Sequence, residues 1–200
     1  SQLVFACELI SVAEAELDWQ PAIETVLRRF ALSLLVPERH YRAVSHYVET
    51  HALVDARGRG QRLAYIRVSG KPLSRSPDRL HDDSLIRKLA LRTPENAMLS
   101  VEADDQASLL AWLEQELRRR FDYRCCQTLE QFQRAPGLAL TKNRHIKLGT
   151  QQHEKDDRPG GADSRRFVLG WDNAQRLSDL RGSLSDLRQR QQGVLTTISE

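Results

Sequence analysis

The stretch Cys7–Val48, CELISVAEAELDWQPAIETVLRRFALSLLVPERHYRAVSHYV, carries the pattern on which the fold turns. It begins inside an apolar run, Leu3–Val12, where Val4, Cys7, Leu9, Ile10 and Val12 predict a first strand. Pro21 opens a helix at the one position where its missing N–H costs nothing, and Ile23, Val26, Leu27 and Phe30 form that helix's apolar face. Leu32–Val36 is a short continuous apolar run closed by Pro37, the pattern of a buried strand. Tyr41, Val44, Tyr47 and Val48 recur at helical spacing and predict a second helix over Glu38–His51. After the turn-rich Asp55–Gly60, Leu63–Val68 has the composition of another strand. Helices alternating with short strands predict an α/β fold.

The same order returns later in the chain. Leu109, Leu110, Leu113 and Leu117, with Trp112 beside them, predict a helix over Gln106–Phe121, followed by a strand at Tyr123–Cys126. Thr128 is placed to cap a helix through Phe132, with Gln131 three residues on as in a capping box. Pro136-Gly137 breaks that helix. Leu138–Thr141 and His145–Leu148 are then strands joined by a tight turn at Lys142-Asn143. The strings Leu27-Arg28-Arg29-Phe30 and Arg119-Arg120-Phe121 end corresponding helices. The shared order, helix, strand, helix, strand, predicts a duplicated unit, with halves at about 1–92 and 93–172. Ser69–Asp83 is expected to be an exposed loop, and the polar stretch Gln151–Arg166 to be mobile. Order is expected to return at Phe167–Trp171, with Asp172 or Asn173 capping a final helix.

That final helix has a different period. Leu177, Leu180, Leu184, Leu187, Gln191, Val194 and Ile198 alternate steps of three and four, with Gln191 in the slot between Leu187 and Val194. This is a heptad seam, and a seam needs a second helix to stay dry. The expected organisation is a body over 1–172 and the root of a coiled-coil arm over 173–200. The partner helix would lie upstream of Ser1 or on another molecule.

Composition narrows the function. The 200 residues carry a net charge of +3 and three cysteines, Cys7, Cys125 and Cys126. Three cysteines give no even disulfide framework, so buried thiols in a reducing, cytoplasmic setting are expected. No apolar run has the length of a membrane span, and no signal-peptide pattern opens the chain. Between Arg57 and Arg92, ten cations face only Asp78, Asp82 and Asp83, whereas Thr93–Leu117 contains six carboxylates and no Lys or Arg.

Catalytic motifs fail on inspection. Gly70-Lys71 lacks the earlier glycine of a phosphate-binding loop, and Pro72 stands where Ser or Thr should bind magnesium. His153-Glu154 is followed by Asp157 where a zinc protease has its second histidine. His145, His153, Asp156 and Asp157 are weighed as metal ligands against solvated loop charges, and the latter are favoured. Cys125 and Cys126 lie in an apolar strand and are expected to be inert. Trp19, Trp112 and Trp171 are read as core anchors.

The Cys7–Val48 stretch, with its strand ending in Leu-Ile-x-Val, resembles the start of an SMC-protein hinge. The later segments RFDYRCCQTLEQF, LALTKNRHIKLG and RRFVLGWDN, the last leading into heptads, resemble the SMC subunit of the Wadjet antiplasmid system (JetC-like, a relative of MukB and MksB). LLVPERHYRAVS, HEKDD and FVLGWDN are the specific phrases. The resemblance covers nearly the whole chain. It implies an SMC-hinge-like body that dimerises at the far end of a long antiparallel coiled coil. The parent would be a DNA-loop-extruding ATPase, with ATP and magnesium in head domains absent here, and with kleisin, accessory and nuclease partners. No cofactor is expected in this segment. The seam would then pair with the chain's own upstream arm helix.

Two expectations concern surfaces. A homodimer through the body would use unpaired sheet edges. The candidate edges are Leu63–Val68, with Leu63, Tyr65, Ile66 and Val68, and Ala139–Leu148, with Leu140, Lys142, Ile146 and Leu148. Arg57, Arg59, Arg62, Lys71, Arg75 and Arg79 are candidates for weak, non-specific contact with double-stranded DNA. The alternative is a nucleic-acid-processing α/β enzyme domain with a dimerising C-terminal helix, its acids being Glu102, Asp104 and Asp105.

Overall fold

In a computed structural model of the chain, residues 3–69, 80–92, 103–158, 161, 163–170 and 182 are described. The chain divides into two units, Ser1–Gly170 and Trp171–Glu200. The heptad seam, Leu177 to Ile198, lies outside the described residues, as do Lys71, Arg75, Arg79, Glu102, Trp171, Asp172 and Asn173.

The first apolar run is not one strand. It forms β1 (Val4–Phe5), a helical turn α1 (Ala6–Leu9) and β2 (Ile10–Val12). The Glu8 carboxylate accepts the Phe5 N–H at 2.8 Å, and Ala6, Cys7 and Leu9 are all buried. A continuous apolar run fits a buried turn as well as a buried strand. A 3-10 helix, Glu14–Trp19, leads into α2 (Gln20–Ala31), which has Pro21 in its first turn. Ile23, Leu27 and Phe30 are buried, as the periodicity predicts. β3 (Ser33–Pro37), α3 (Glu38–Thr50) and β4 (Ala64–Val68) follow close to their predicted bounds. β3 is central, antiparallel to β1 and parallel to β4.

A second 3-10 turn, Leu85–Lys88, and β5 (Leu89–Leu91) were not foreseen from the sequence. α4 (Ala103–Phe121), β6 (Arg124–Cys126), α5 (Leu129–Arg134), β7 (Ala139–Thr141) and β8 (His145–Lys147) match expectation. Trp112, Leu113 and Leu117 are buried. The expected mobile stretch Gln151–Arg166 instead contributes β9 (His153–Lys155) and a 3-10 turn at Ser164–Arg166. β9 pairs antiparallel with β8 and completes a sheet ordered β6-β7-β8-β9. Polar composition hides such a strand, because its backbone pairs while its side chains stay in water.

The duplication extends further than the sequence suggests. Phe5 of β1 pairs with Leu34 of β3, and Ser84 bridges to Arg124 of β6. Matching residue 5 to residue 84 aligns α1 with the 3-10 turn Leu85–Lys88, and β2 with β5. These two strands are themselves paired antiparallel, Ile10 with Leu91, Ser11 with Ala90 and Val12 with Leu89. A local two-fold axis therefore passes through the Ser11–Ala90 pair. α2, β3, α3 and β4 then correspond to α4, β6, α5 and β7, and both β-α-β connections join parallel strands. Phe30 and Phe121, at the ends of α2 and α4, touch with ring centroids 5.3 Å apart.

The segment leaving the body is anchored. Val168 and Leu169 are buried, and both donate backbone N–H groups to the Glu24 carboxylate, at 2.9 and 2.8 Å. The Gly170 N–H donates to the Ile10 carbonyl at 2.6 Å, and Arg92 donates to the Gly170 carbonyl at 2.8 Å. Gly170 has φ +69°, and an added Cβ would sit 3.3 Å from the Ser11 Cβ. Among the described residues, no helix is long and apolar enough to cross a membrane.

Candidate functional site

The two halves differ most in how their last layer is finished. α3 has no buried residue, and neither has β4, which forms one edge of its sheet. Tyr47 is 55% exposed and stacks on His51, with centroids 4.2 Å apart. Tyr41 lies 6.4 Å from Tyr65, with the Arg67 guanidinium 4.6 Å above its ring. Arg67 donates to Glu38 at 2.7 Å, and this bond holds the Glu38 carboxyl below its usual range. Of the predicted edge residues, Leu63, Tyr65, Ile66 and Val68 are all half-buried on this layer.

In the second half the equivalent layer is closed. Phe132, like Tyr41 the fourth residue of its helix, is only 2% exposed. Its ring lies 4.2 Å from that of His145 and 6.0 Å from that of His153. The expected edge at Ala139–Leu148 is accordingly corrected. β7 lies between β6 and β8, and β8 between β7 and β9, so the edge strand on this side is β9. Leu140 and Ile146 are buried inside the body. Lys142 pairs with Asp18 of the same chain and lies 5.4 Å from the Trp19 ring centroid. The half-buried Leu148 donates its N–H to the Gln152 carbonyl in the turn before β9. All three residues of β9 are exposed.

Of the candidate DNA-contact cations, Arg57 and Arg59 sit on a hairpin closed by a Val54–Gly60 bridge, and Arg62 follows it directly. One Asp55 carboxylate oxygen accepts the Arg57 and Arg59 N–H groups, each at 2.9 Å, and the other accepts Arg59 Nε at 2.8 Å. These bonds hold the Asp55 carboxyl below its ordinary range. Gly58 supplies the left-handed turn conformation, φ +75°. Arg57, Arg59 and Arg62 are all exposed. The acidic α4 does not neutralise them from its C-terminal half. Glu114 pairs with Arg118, and the buried Glu116 pairs with Arg119 and Arg120 of the same helix.

The residues weighed for chemistry are otherwise engaged. Burial pushes the Cys7 thiol up to about 11 and the Cys125 thiol up to about 12, and raises Cys126 as well. These thiols have little thiolate character near neutral pH. Asp156 is bonded by Arg158 and held down to about 2, while Asp157 pairs with Lys155. Among the described residues, no three His, Cys, Asp or Glu side chains gather to hold a metal ion. Asp104 and Asp105 lie in the first turn of α4.

No protein-family model and no curated protein sequence matches the chain. Two solved structures are similar to it at low identity. The Pyrococcus furiosus Smc hinge domain with an extended coiled coil superposes with a TM-score of 0.49 at 14% identity, covering 96% of this chain and 57% of that one. An asymmetric dimer of the Geobacillus stearothermophilus SMC hinge domain gives 0.46 at 14% identity, covering 96% of this chain and 69% of that one.

Proposed function

We propose that the chain is a dimerisation hinge of an SMC-type, DNA-loop-extruding ATPase of the Wadjet-like antiplasmid class, acting in the cytoplasm. The observation that carries this reading is the unequal finish of the two halves. The second half closes its sheet with the β8–β9 hairpin, whereas the first ends at β4 with Tyr41, Tyr65, Ile66 and Val68 half-covered. Unpaired edges are a liability unless something covers them. A second copy has the matching open strand, β9. Pairing β4 with the partner's β9, twice, satisfies both edges through one two-fold operator. The motifs LLVPERHYRAVS, HEKDD and FVLGWDN support the finer assignment. The heptads then pair with the chain's own upstream arm, and the ATPase heads, kleisin and nuclease belong to the rest of the assembly.

Sedimentation equilibrium tests the dimer. The chain should sediment as a dimer at micromolar concentration, and Tyr65→Glu with Val68→Glu should shift it to monomer without unfolding it. A wild-type monomer across that range overturns the reading. The rigid hairpin suits it to weak duplex binding through phosphates. Charge reversal at Arg57, Arg59 and Arg62 should then reduce the salt slope of DNA affinity by about 0.9 per lost contact, with the dimer retained. An unchanged slope removes the hairpin from any DNA contact.

A further inference from the structure

A cavity of about 460 Å³ opens in the second half, beside β6 and α5, within the size range of small-ligand sites. Lys88, Arg124 and Arg134 line it together with Asp83, Gln127 and Gln131. Its polarity is not inherited from the duplicated framework. Residue matching places Val4 at the position of Asp83, Leu9 at that of Lys88 and Leu34 at that of Arg124, so the first half fills the same region with apolar side chains.

The donors are held in place with capacity to spare. Lys88 Nζ donates to Glu16 at 2.6 Å and lies 5.2 Å from the Trp19 ring centroid, which fixes the ammonium at the wall. Arg124 meets the His81 ring through Nη2 at 3.0 Å, while its Nε is buried with no hydrogen-bond partner among the described residues. A buried guanidinium N–H without an acceptor is costly, so the Arg124 side chain gains by turning towards an anion in the cavity it lines. Gln131 spends its carbonyl oxygen on the Gln127 and Thr128 N–H groups, leaving its amide N–H groups as donors. Arg134 pairs with Glu130, but at 79% side-chain exposure this pair is weak enough for the arginine to turn towards a ligand. Among the described residues of the wall Asp83 is the one carboxylate, suited to accept a hydroxyl rather than meet a bare anion.

We propose that this cavity binds the phosphate of a phosphorylated ribose, either as a free ribonucleotide or within an RNA backbone, with Asp83 accepting a ribose hydroxyl. The site rests on its own geometry and stands or falls apart from the dimer. Phosphorus NMR titration of the whole chain with adenosine monophosphate should give saturable line broadening, with inorganic phosphate weaker because it lacks the hydroxyl. Arg124→Gln should weaken adenosine monophosphate about tenfold, the loss expected for a charged hydrogen bond. Arg134→Gln should weaken it less, and Arg158→Gln, away from the cavity, should leave it unchanged. If a short RNA duplex loses affinity in the same order, the ligand is the backbone. If the duplex is indifferent, the ligand is a free sugar phosphate. Should Arg124→Gln fail to fold, the exposed Arg134→Gln decides alone. No saturable binding of adenosine monophosphate, or equal binding by wild type and the folded arginine variants, overturns the proposal.

Discussion

Glu24 holds the end of the body together. It is buried in α2, yet one carboxylate oxygen takes both the Val168 and Leu169 N–H groups across more than a hundred residues of chain. Its other oxygen is buried with no hydrogen-bond partner among the described residues. Burial pushes the carboxyl above its ordinary range, more strongly than the two N–H groups and the Arg28 charge pull it down. A group raised in this way contributes stability that is complete below its unfolded value, about 4.3, and is lost as pH rises through the folded value. Glu24→Gln keeps an acceptor for both N–H groups and carries no charge. Its stability relative to wild type should therefore rise between about pH 4 and about pH 7, measured by denaturant titration at both. Taking the difference removes the opposite trend of Asp18, Glu38, Asp55, Glu116 and Asp156, whose lowered values make them lose stability as pH falls. A constant difference would show that Glu24 does not titrate with folding.

At the scale of elements, what was legible depended on how far the deciding contacts lie along the chain. The α5 cap was fully legible because it is local. Gln131 N–H donates to Thr128 Oγ1 at 3.2 Å, and Gln131 Oε1 accepts the Thr128 N–H at 3.3 Å. Thr128→Ala should cost about 1 kcal/mol, read as a lowered denaturation midpoint. No change would mean the cap adds nothing to stability. α3 and α4 were legible because each carries a helical period, and β3 and β4 because Pro37 and the Asp55–Gly60 turn bound short strand-like runs. α1 was not, since the apolar residues of Val4–Val12 keep neither a strand nor a helix period, and periodicity cannot separate a buried turn from a strand. β5 and β9 were illegible for a second reason. Leu89–Leu91 is a strand because β2 lies opposite, and His153–Lys155 because β8 does. Nothing within three residues of sequence encodes either partner. The candidate site inherits that limit. The β4 edge was readable, while its expected counterpart at Ala139–Leu148 was displaced by one strand, β9, in a stretch that composition had assigned to a mobile loop. The cavity donors Lys88 and Arg124 meet because the Ser84–Arg124 bridge, 40 residues apart in the chain, and the flanking Leu85 N–H to Tyr123 and Cys125 N–H to Asp83 carbonyl bonds join their segments.

At the scale of the whole molecule, the internal two-fold sets up the question that self-association answers. If the halves were true copies, β4 and β7 would be equivalent and both would be open edges. They differ because the chain adds β8 and β9 after β7, moving the open edge outward by two strands on that side only. Two arrangements can then cover β4 in a two-fold dimer: β4 against the partner's β4, or β4 against the partner's β9. The first leaves both β9 edges unpaired and brings the Arg67 residues of the two copies close together. The second pairs both the β4 and the β9 edges and leaves each Arg67 with its own Glu38, so it is the arrangement expected here. Cysteine crosslinking separates them, because the three native thiols are buried. A chain with Ala64→Cys and Lys155→Cys together should form a covalent dimer under mild oxidation. Ala64→Cys alone should not, and neither should Lys155→Cys alone. A mixture of the two single variants should crosslink only as the heterodimer. Crosslinking by Ile66→Cys alone, at the centre of β4 where an antiparallel β4–β4 pair brings the two copies together, would place β4 against β4 and refute the exchanged pairing, while leaving the dimer itself in place.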